Sequence, residues 1–207
     1  MSISKTGIVN LALSHVGEPA IMDITDENNV VAQLVLVVYE PTLREIARDH
    51  EWNCLRMRQN LAQVLPVPVF GYDFAYQLPV ELVRLLRLNG RDIQTITDLF
   101  DIEGRRLLTN ATTAKIQYIG YDEDTTVYDA LFVECLAIKL ASKLATIIRQ
   151  DEGLGQALKQ EYLQVSLPRA RKVDGNERNK APYDPREQSR SLNARRLGTW
   201  AGSVDTD

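Results

Sequence analysis

The chain has 207 residues, 44% of them hydrophobic and 25% charged, with a formal net charge of −4. This is the composition of an ordinary globular protein, and the negative charge argues against a general nucleic-acid-binding protein. Cys54 and Cys135 lack CxxC spacing, which fits a reducing compartment, and no apolar run reaches the length of a membrane span. We therefore expect a soluble protein, made in a cytoplasm without a signal peptide.

The first fifty residues have the apolar spacing of two helices. The first helix is predicted over residues 6–16. The second is predicted over residues 27–49, with Thr25 or Asp26 as its N-cap, and Pro41 bends it without dividing it. Its predicted apolar stripe consists of Val30, Leu34, Val37, Val38 and Ile46.

After Trp52 the period of the apolar residues changes from 3.6 to 2, which predicts β-strands. The strand candidates are residues 55–58, 73–78, 82–88, 100–103, 106–109 and 114–121. Asn89-Gly90 has the sequence of a two-residue hairpin turn, and Gly104 turns the chain between two later candidates. These segments predict a small antiparallel sheet inserted between helices.

Two more helices are predicted after the sheet. Thr126 and Asp129 have capping-box-like spacing at the start of a helix over residues 127–149. Small residues at every fourth position of this helix allow another helix to approach closely: Ala137, Ala141 and Ala145. A fourth helix follows a turn at residues 151–155, and Pro168 is expected to end or kink it. We predict an α+β fold: a four-helix bundle base with an inserted small antiparallel β-sheet and an extended C-terminal arm.

The C-terminal segment differs in charge from the rest of the chain. Residues 168–200 hold nine basic and four acidic residues, a net +5, whereas residues 1–167 hold 15 Lys+Arg and 22 Asp+Glu, a net −7. Residues 174–191 contain no aliphatic side chain larger than alanine, so this segment alone cannot bury enough apolar surface to become ordered. An apolar tip follows, formed by Leu192, Leu197 and Trp200. We interpret this tail as an arm that folds on a partner protein.

No pattern of catalytic or metal-binding residues is found. There is no phosphate-binding loop, and Gly153-Leu154-Gly155 is a lone GxG without a preceding strand. His15 and His50 lie far apart in sequence, so we expect no zinc site, and we read the acids at residues 122–124 as facing solvent rather than holding a hard cation. Alternating aromatic residues favour sheet packing over base stacking: Phe70, Tyr72, Phe74 and Tyr76. We expect neither an enzyme nor a cofactor.

Short sequences in a definite order, spread over residues 4–172, carry a family likeness. They are Val16-Gly17-Glu18-Pro19, Glu51-Trp52-Asn53, Tyr76-Gln77-Leu78-Pro79, Glu103-Gly104-Arg105, Leu108-Thr109, Tyr118 before Asp122, and the alanine-rich residues 137–145. In order and spacing the chain resembles the head-to-tail adaptor proteins of tailed bacteriophages, also called tail tubular protein A. Pro41 and Pro168, inside predicted helices, depart from the smoother pattern of that family.

The resemblance implies a structural virion protein that is synthesised in the cytoplasm of the bacterial host. Such adaptors look like twelve-subunit rings beneath the portal protein, which extend the DNA ejection channel and present a platform to a tail nozzle protein similar to tail tubular protein B. Residues 1–51 and 125–172 would form the ring of helical bundles, residues 52–124 the β insertion facing the distal tail, and residues 173–207 the extended arm. DNA would pass through the channel without sequence-specific binding, and no membrane would be contacted.

The resemblance also assigns the basic arm and its apolar tip to the portal. The expected portal-binding residues are Arg169, Arg171, Lys172, Arg178, Lys180, Tyr183, Arg186, Arg190, Leu192, Arg195, Arg196, Leu197 and Trp200. The alternative is a nucleic-acid-binding regulatory protein that grips phosphates with the same arm, although a phosphate-tracking arm would be more uniformly basic. An enzyme is a third interpretation, which no motif supports. A fourth is a solvated tail without function, and the apolar residues at its tip argue against it.

Overall fold

The computed structural model describes residues 3–94 and 100–177. In this part of the chain, helices and antiparallel sheets form a mixed α+β fold. The helices are α1 (Lys5–Val16), α2 (Val30–Asp49), α3 (Ala130–Arg149), α4 (Glu152–Glu161) and α5 (Leu167–Asn176). The strands are β1 (Arg56–Asn60), β2 (Phe74–Gln77), β3 (Leu82–Leu88), β4 (Arg91–Asp92), β5 (Phe100–Glu103), β6 (Arg106–Thr109) and β7 (Lys115–Gly120). None of the described helices has the length and hydrophobicity needed to cross a bilayer.

Local side chains determine where the first two helices end and begin. Gly17, with a φ of 75°, ends α1 in the left-handed conformation that glycine adopts without strain. α2 begins after Asn29, whose side-chain oxygen accepts hydrogen bonds from two N–H groups of the first turn at 2.9 and 3.3 Å. The predicted N-cap at Thr25 or Asp26 was therefore wrong. The Asp26 carboxylate accepts a hydrogen bond from the backbone of Asn28, which closes a separate turn.

α2 continues through Pro41 as one helix, as predicted, and the Thr42 hydroxyl donates to the Val38 carbonyl at 2.6 Å. The face that it buries differs from the predicted stripe. The buried residues are Ala32, Val35, Tyr39, Thr42, Leu43, Ile46 and Ala47. Val30 and Val37, which were predicted to lie in the core, are 68% and 73% exposed. Two sides of this helix are apolar in the sequence, and periodicity alone does not decide which side meets the core.

α3 is the central helix, since α1, α2 and α4 all pack against it. Its N-cap is Asp129, whose carboxylate accepts a backbone hydrogen bond at 2.9 Å, whereas Thr126 lies in a short 3₁₀ turn before it. Trp52 packs edge-on against Phe132 of this helix, with 5.1 Å between the ring centroids. Three small residues on α3 are fully buried: Ala137, Ala141 and Ala145. Ala145 lies where α4 comes close to α3, since a Cβ at Gly155 would be 3.9 Å from the Cβ of Ala145.

The strands form two antiparallel sheets instead of the single sheet predicted. The first sheet has the order β1-β7-β3-β4 and the second the order β2-β6-β5. One face of the first sheet adds Leu86 and Ile119 to the helical core. A separate core lies between the two sheets and includes Leu85, Leu88, Ile116, Tyr118, Tyr76 and Leu107. Each predicted strand is present, but a local pattern does not specify which distant strands pair.

The Asn89-Gly90 hairpin joins β3 to β4, as predicted. Both residues have positive φ values, 50° and 83°, which this tight turn requires. The Asn89 side chain also accepts a hydrogen bond from the Lys115 backbone and donates to the Thr113 carbonyl, each at 2.9 Å. The turn is therefore fastened to the beginning of β7, beside the basic side chain of Lys115.

The C-terminal helix continues through Pro168, where we predicted an end or a kink. α4 passes into a π-helical turn, Tyr162–Ser166, and then directly into α5. The N–H of Leu167 bonds to the carbonyl five residues back, so the wider turn comes immediately before the proline, which has no N–H to donate. Leu167 and Ala170 are buried in the helical core. Residues 173–176, predicted to belong to an extended arm, are therefore helical and begin on the folded body.

Candidate interaction surfaces

Three of the predicted portal-binding residues lie on α5, and the remaining ten, from Arg178 to Trp200, fall outside the described residues. The Arg171 guanidinium donates to the Asp49 carbonyl at the end of α2. The Arg169 side chain is 65% exposed, at 3.9 Å from the nearest carboxylate oxygen of Glu134, and Lys172 is exposed. Arg171 therefore serves contacts within the body, whereas Arg169 and Lys172 face solvent.

A cluster that the sequence did not reveal holds α5 in place. The Asp174 carboxylate lies 2.9 Å from Nε2 of His50 and accepts a hydrogen bond from the backbone N–H of Asn53, also at 2.9 Å. The Asn53 side chain in turn donates to the Asp174 carbonyl at 2.8 Å. We call these three residues the α5 latch. Because the Asp174 side chain is only 11% exposed, the latch fixes the end of α5 beside the end of α2.

A cleft of about 670 Å³ lies between α2, α3 and α4. The Asp49 carboxylate accepts hydrogen bonds from the Tyr162 hydroxyl at 2.5 Å and from the Lys139 ammonium at 2.7 Å, and Lys143 pairs with Glu45 at 2.7 Å. Burial, and then the hydrogen bond to Asp49, raises the pKa of Tyr162, so its hydroxyl remains a donor. These lysines and carboxylates neutralise one another, and the cluster joins three helices without presenting an activated nucleophile.

The solvent side of α2 carries an apolar stripe. Val30, Leu34, Val37 and Pro41 recur at the spacing of one helix face, opposite the residues that meet the core. The two valines are mostly exposed, and the described residues leave this side of α2 uncovered. We call this surface the α2 stripe. An exposed stripe of this kind is typical of a helix that packs against another protein chain.

A second exposed apolar surface is the loop between β1 and β2. Leu65, Val69 and Phe70 are 79%, 96% and 86% exposed. We call residues 65–70 the apolar loop. Sheet packing had been predicted for the alternating aromatics, and it is confirmed for Tyr76 but wrong for Phe70, because β2 begins only at residue 74. Residues with this exposure gain free energy when a partner removes them from water.

The remaining candidates from the sequence have structural roles. Gly153 and Gly155 lie in the first turns of α4, where no strand precedes them. The Asp124 carboxylate caps its own turn by accepting hydrogen bonds from Thr126, which also lower its pKa. Within residues 3–94 and 100–177, no three His, Cys, Asp or Glu side chains come together as a metal site would require. His15 is exposed, and His50 belongs to the α5 latch.

The chain matches no protein-family model and no curated protein. Its function is therefore inferred from the surfaces described above together with the order of its sequence elements.

Proposed function

We propose that this protein is a structural component of a bacteriophage virion: a head-to-tail adaptor that forms a ring between the portal and the tail nozzle and extends the DNA ejection channel. The observation that carries the proposal is the α2 stripe. A folded body that leaves such a helix face uncovered needs a neighbouring chain to bury it. The order of sequence elements, which resembles that of the adaptor family, supplies the identity of the assembly.

The helical part, residues 1–51 and 125–172, is the proposed ring base, built as a four-helix bundle. In a ring each subunit contacts its neighbours through two different surfaces, one on each side. The α2 stripe provides one of them. The number of subunits, twelve, follows the adaptor family.

The β part, residues 52–124, faces the distal tail in this proposal. The apolar loop supports this role, because it offers three large apolar side chains to a nozzle protein and is separated from the α2 stripe in sequence and by element. The two contacts therefore use different surfaces, as a protein that joins several partners requires.

The portal contact is assigned to α5 and to the segment that follows it. The α5 latch supports this assignment by fixing the end of α5, the last described helix, on the folded body. When one chain makes two contacts with a partner, forming the first contact raises the effective concentration for the second. Arg169 and Lys172, both exposed on α5, extend the proposed contact back onto the body.

The charge of the body supports a channel through which DNA slides. Residues 1–167 carry 15 basic and 22 acidic residues, a net −7. DNA binds proteins mainly through phosphate contacts to Lys and Arg, and a wall of like charge avoids such contacts. DNA accordingly passes without sequence-specific binding.

Electron microscopy of the full-length protein, alone and mixed with the portal protein of the same phage, tests the proposal. We expect a ring on the portal for the wild-type chain and none for Val37→Glu, which places a charge in the α2 stripe. Met22→Glu is the matched control, since Met22 is fully exposed in the loop before α2, and it should assemble normally. Normal rings from Val37→Glu would exclude the stripe as a subunit contact.

The arm is tested by deletion of residues 178–207, which leaves every described helix and strand intact. We expect the truncated chain to keep the cooperative thermal unfolding of the wild type and to lose portal binding in a sedimentation assay. If the truncated chain still binds the portal, the arm does not make the contact.

A further inference from the structure

Three basic residues on adjacent strands of the first sheet lie on one face. Arg58 of β1 and Arg87 of β3 both stand opposite Gln117 of the central strand β7, and side chains in register point to the same side. Lys115 lies two residues from Gln117 on β7 and therefore shares its face. Two strand spacings separate the arginines by about 10 Å. Arg58, Arg87 and Lys115, which we call the outer row, therefore surround the side-chain amide of Gln117.

This row surrounds a cleft of about 540 Å³. Asn60 and Gln117 add their side-chain amides to the three basic side chains, and Gln117 is buried at the floor. The described lining residues include no acidic and no aromatic side chain. Asp92 stands opposite Arg87 in register on β4, outside the cleft, and its carboxylate accepts a backbone hydrogen bond from Gln94. The cleft is therefore basic in a body whose overall charge is negative.

On the same face of the sheet, two other arginines are paired with a carboxylate. One row nearer the helices, Arg56 and Arg84 both stand opposite Ile119, and both approach the Glu51 carboxylate, at 3.5 and 3.8 Å. Among the described residues no ion pair is formed by the three cations of the outer row. Holding like charges together without a counterion has an energetic cost, which a bound anion removes.

The chemistry of the cleft fits carboxylates. Arginine forks bind carboxylates through two parallel hydrogen bonds, and amide N–H₂ groups donate to the remaining lone pairs. Nucleic acid is disfavoured on two grounds. Single strands bind by stacking bases on aromatic side chains, which the described lining lacks. A duplex gains its affinity from many phosphate contacts along a wide surface, whereas this concave cleft supplies only three cations.

We propose that the basic cleft of Arg58, Arg87 and Lys115 is a docking site for an acidic, Asp/Glu-containing segment of a protein partner. The segment places its carboxylates between the arginines and against the amides of Gln117 and Asn60. The cleft belongs to neither the α2 stripe, the apolar loop nor the arm. The docking proposal is therefore independent of the adaptor proposal, and it can be tested with the purified protein alone.

The probe is a fluorescein-labelled peptide with four Glu-Ser repeats, titrated with the full-length protein by fluorescence anisotropy at low salt. A Gln-Ser peptide of the same length reports binding that does not depend on carboxylates. The test variant Arg58→Gln/Arg87→Gln removes two charges from the cleft. The matched control Arg106→Gln/Lys159→Gln removes two charges from exposed positions on β6 and α4.

We expect the Glu-Ser peptide to bind, with affinity falling as salt is added, and the Gln-Ser peptide not to bind. The cleft variant should weaken binding at least tenfold, and Lys115→Gln should weaken it to a smaller extent, while the control variant changes it less than twofold. Circular dichroism establishes that each variant is folded. The proposal is overturned if the wild-type protein does not distinguish the two peptides, or if the control variant loses as much affinity as the cleft variant. It is also overturned if a five-nucleotide thymidine strand, with a similar number of charges, binds more tightly and depends on Arg58 and Arg87.

Discussion

Gly155 is the residue at which α4 comes into close contact with α3, and replacing it with alanine tests that packing directly. A Cβ at this position would lie 2.8 Å from Oγ1 of Thr146 and 3.0 Å from the carbonyl oxygen of Ser142. The threonine hydroxyl can rotate away, but the carbonyl belongs to the backbone of α3. The two helices must therefore separate by a few tenths of an ångström for the methyl group to fit.

The change in the free energy of unfolding is the difference between a gain in helix propensity and a cost of overpacking. Alanine gains about 1 kcal/mol over glycine inside a helix, while overpacking a tight contact costs about 1–3 kcal/mol. Because the obstacle is backbone, the overpacking cost lies in the upper part of that range, about 2–3 kcal/mol. Gly155→Ala should therefore lower the free energy of unfolding by about 1–2 kcal/mol. For a chain of this size that corresponds to a decrease in Tm of about 2–8 °C.

Thermal unfolding followed by circular dichroism measures the effect, and Gly175→Ala is the control. Nothing lies within 4 Å of a Cβ at Gly175 in α5, so this change should leave the Tm unchanged or raise it slightly. In a Thr146→Ala background the nearer obstacle is absent, so Gly155→Ala should lower the Tm by less than it does in the wild-type protein. A Gly155→Ala protein as stable as the wild type would refute the close approach of α3 and α4.

Three further predictions follow from buried groups. The buried hydroxyl of Tyr39 has no hydrogen-bond partner among the described residues. Tyr39→Phe should therefore raise the free energy of unfolding, measured by urea titration, by about 1 kcal/mol. A lower free energy of unfolding would show that the hydroxyl is hydrogen-bonded. Asp174→Ala breaks the α5 latch and should lower the free energy of unfolding by about 2 kcal/mol. Amide hydrogen exchange should become faster in α5 but not in α1. Equally faster exchange in both helices would indicate global destabilisation instead. Burial raises the pKa of Cys54 to about 11 and that of Cys135 to about 12, from an ordinary value of 9.0. At pH 8 iodoacetamide should therefore leave both thiols unmodified in the native protein and label them after unfolding. Mass spectrometry measures the labelling. Because the folded state favours the protonated thiols, this contribution to stability should be complete below pH 9 and decline as the pH rises through 11.

Features that depend on neighbours in sequence were predictable. The left-handed end of α1 at Gly17 and the Asn89-Gly90 hairpin follow from backbone conformations that few residues adopt. The strands also follow from their local alternation. Their pairing does not, and β3 shows why. Two register shifts in β3 place both Leu85 and Leu88 against the second sheet and Leu86 against the helices, a pattern that strict alternation does not describe.

Residues that act through distant partners were not predictable. The sequence places Asp174 at the start of a polar segment, but its carboxylate accepts a hydrogen bond from Asn53, 121 positions away. Arg58 and Arg87 lie far apart in the sequence, and only their shared register with Gln117 brings them together. For the arm itself, ten of the thirteen residues expected to bind the portal lie outside the described residues, so their role stays a prediction.

The sequence by itself determined the existence of α1 to α4 and of the longer strands, the α+β class and the contrast between an acidic body and a basic tail. Each of these depends on composition or on contacts within a few residues. The tertiary structure decided which side of α2 is buried, how the helix passes Pro168, and which charges remain without partners. Val30 and Val37 have the same hydrophobicity whether they face a core or solvent. Only the packing of α2 against α3 and the sheet turns one apolar side inward and leaves the other available for a neighbouring chain.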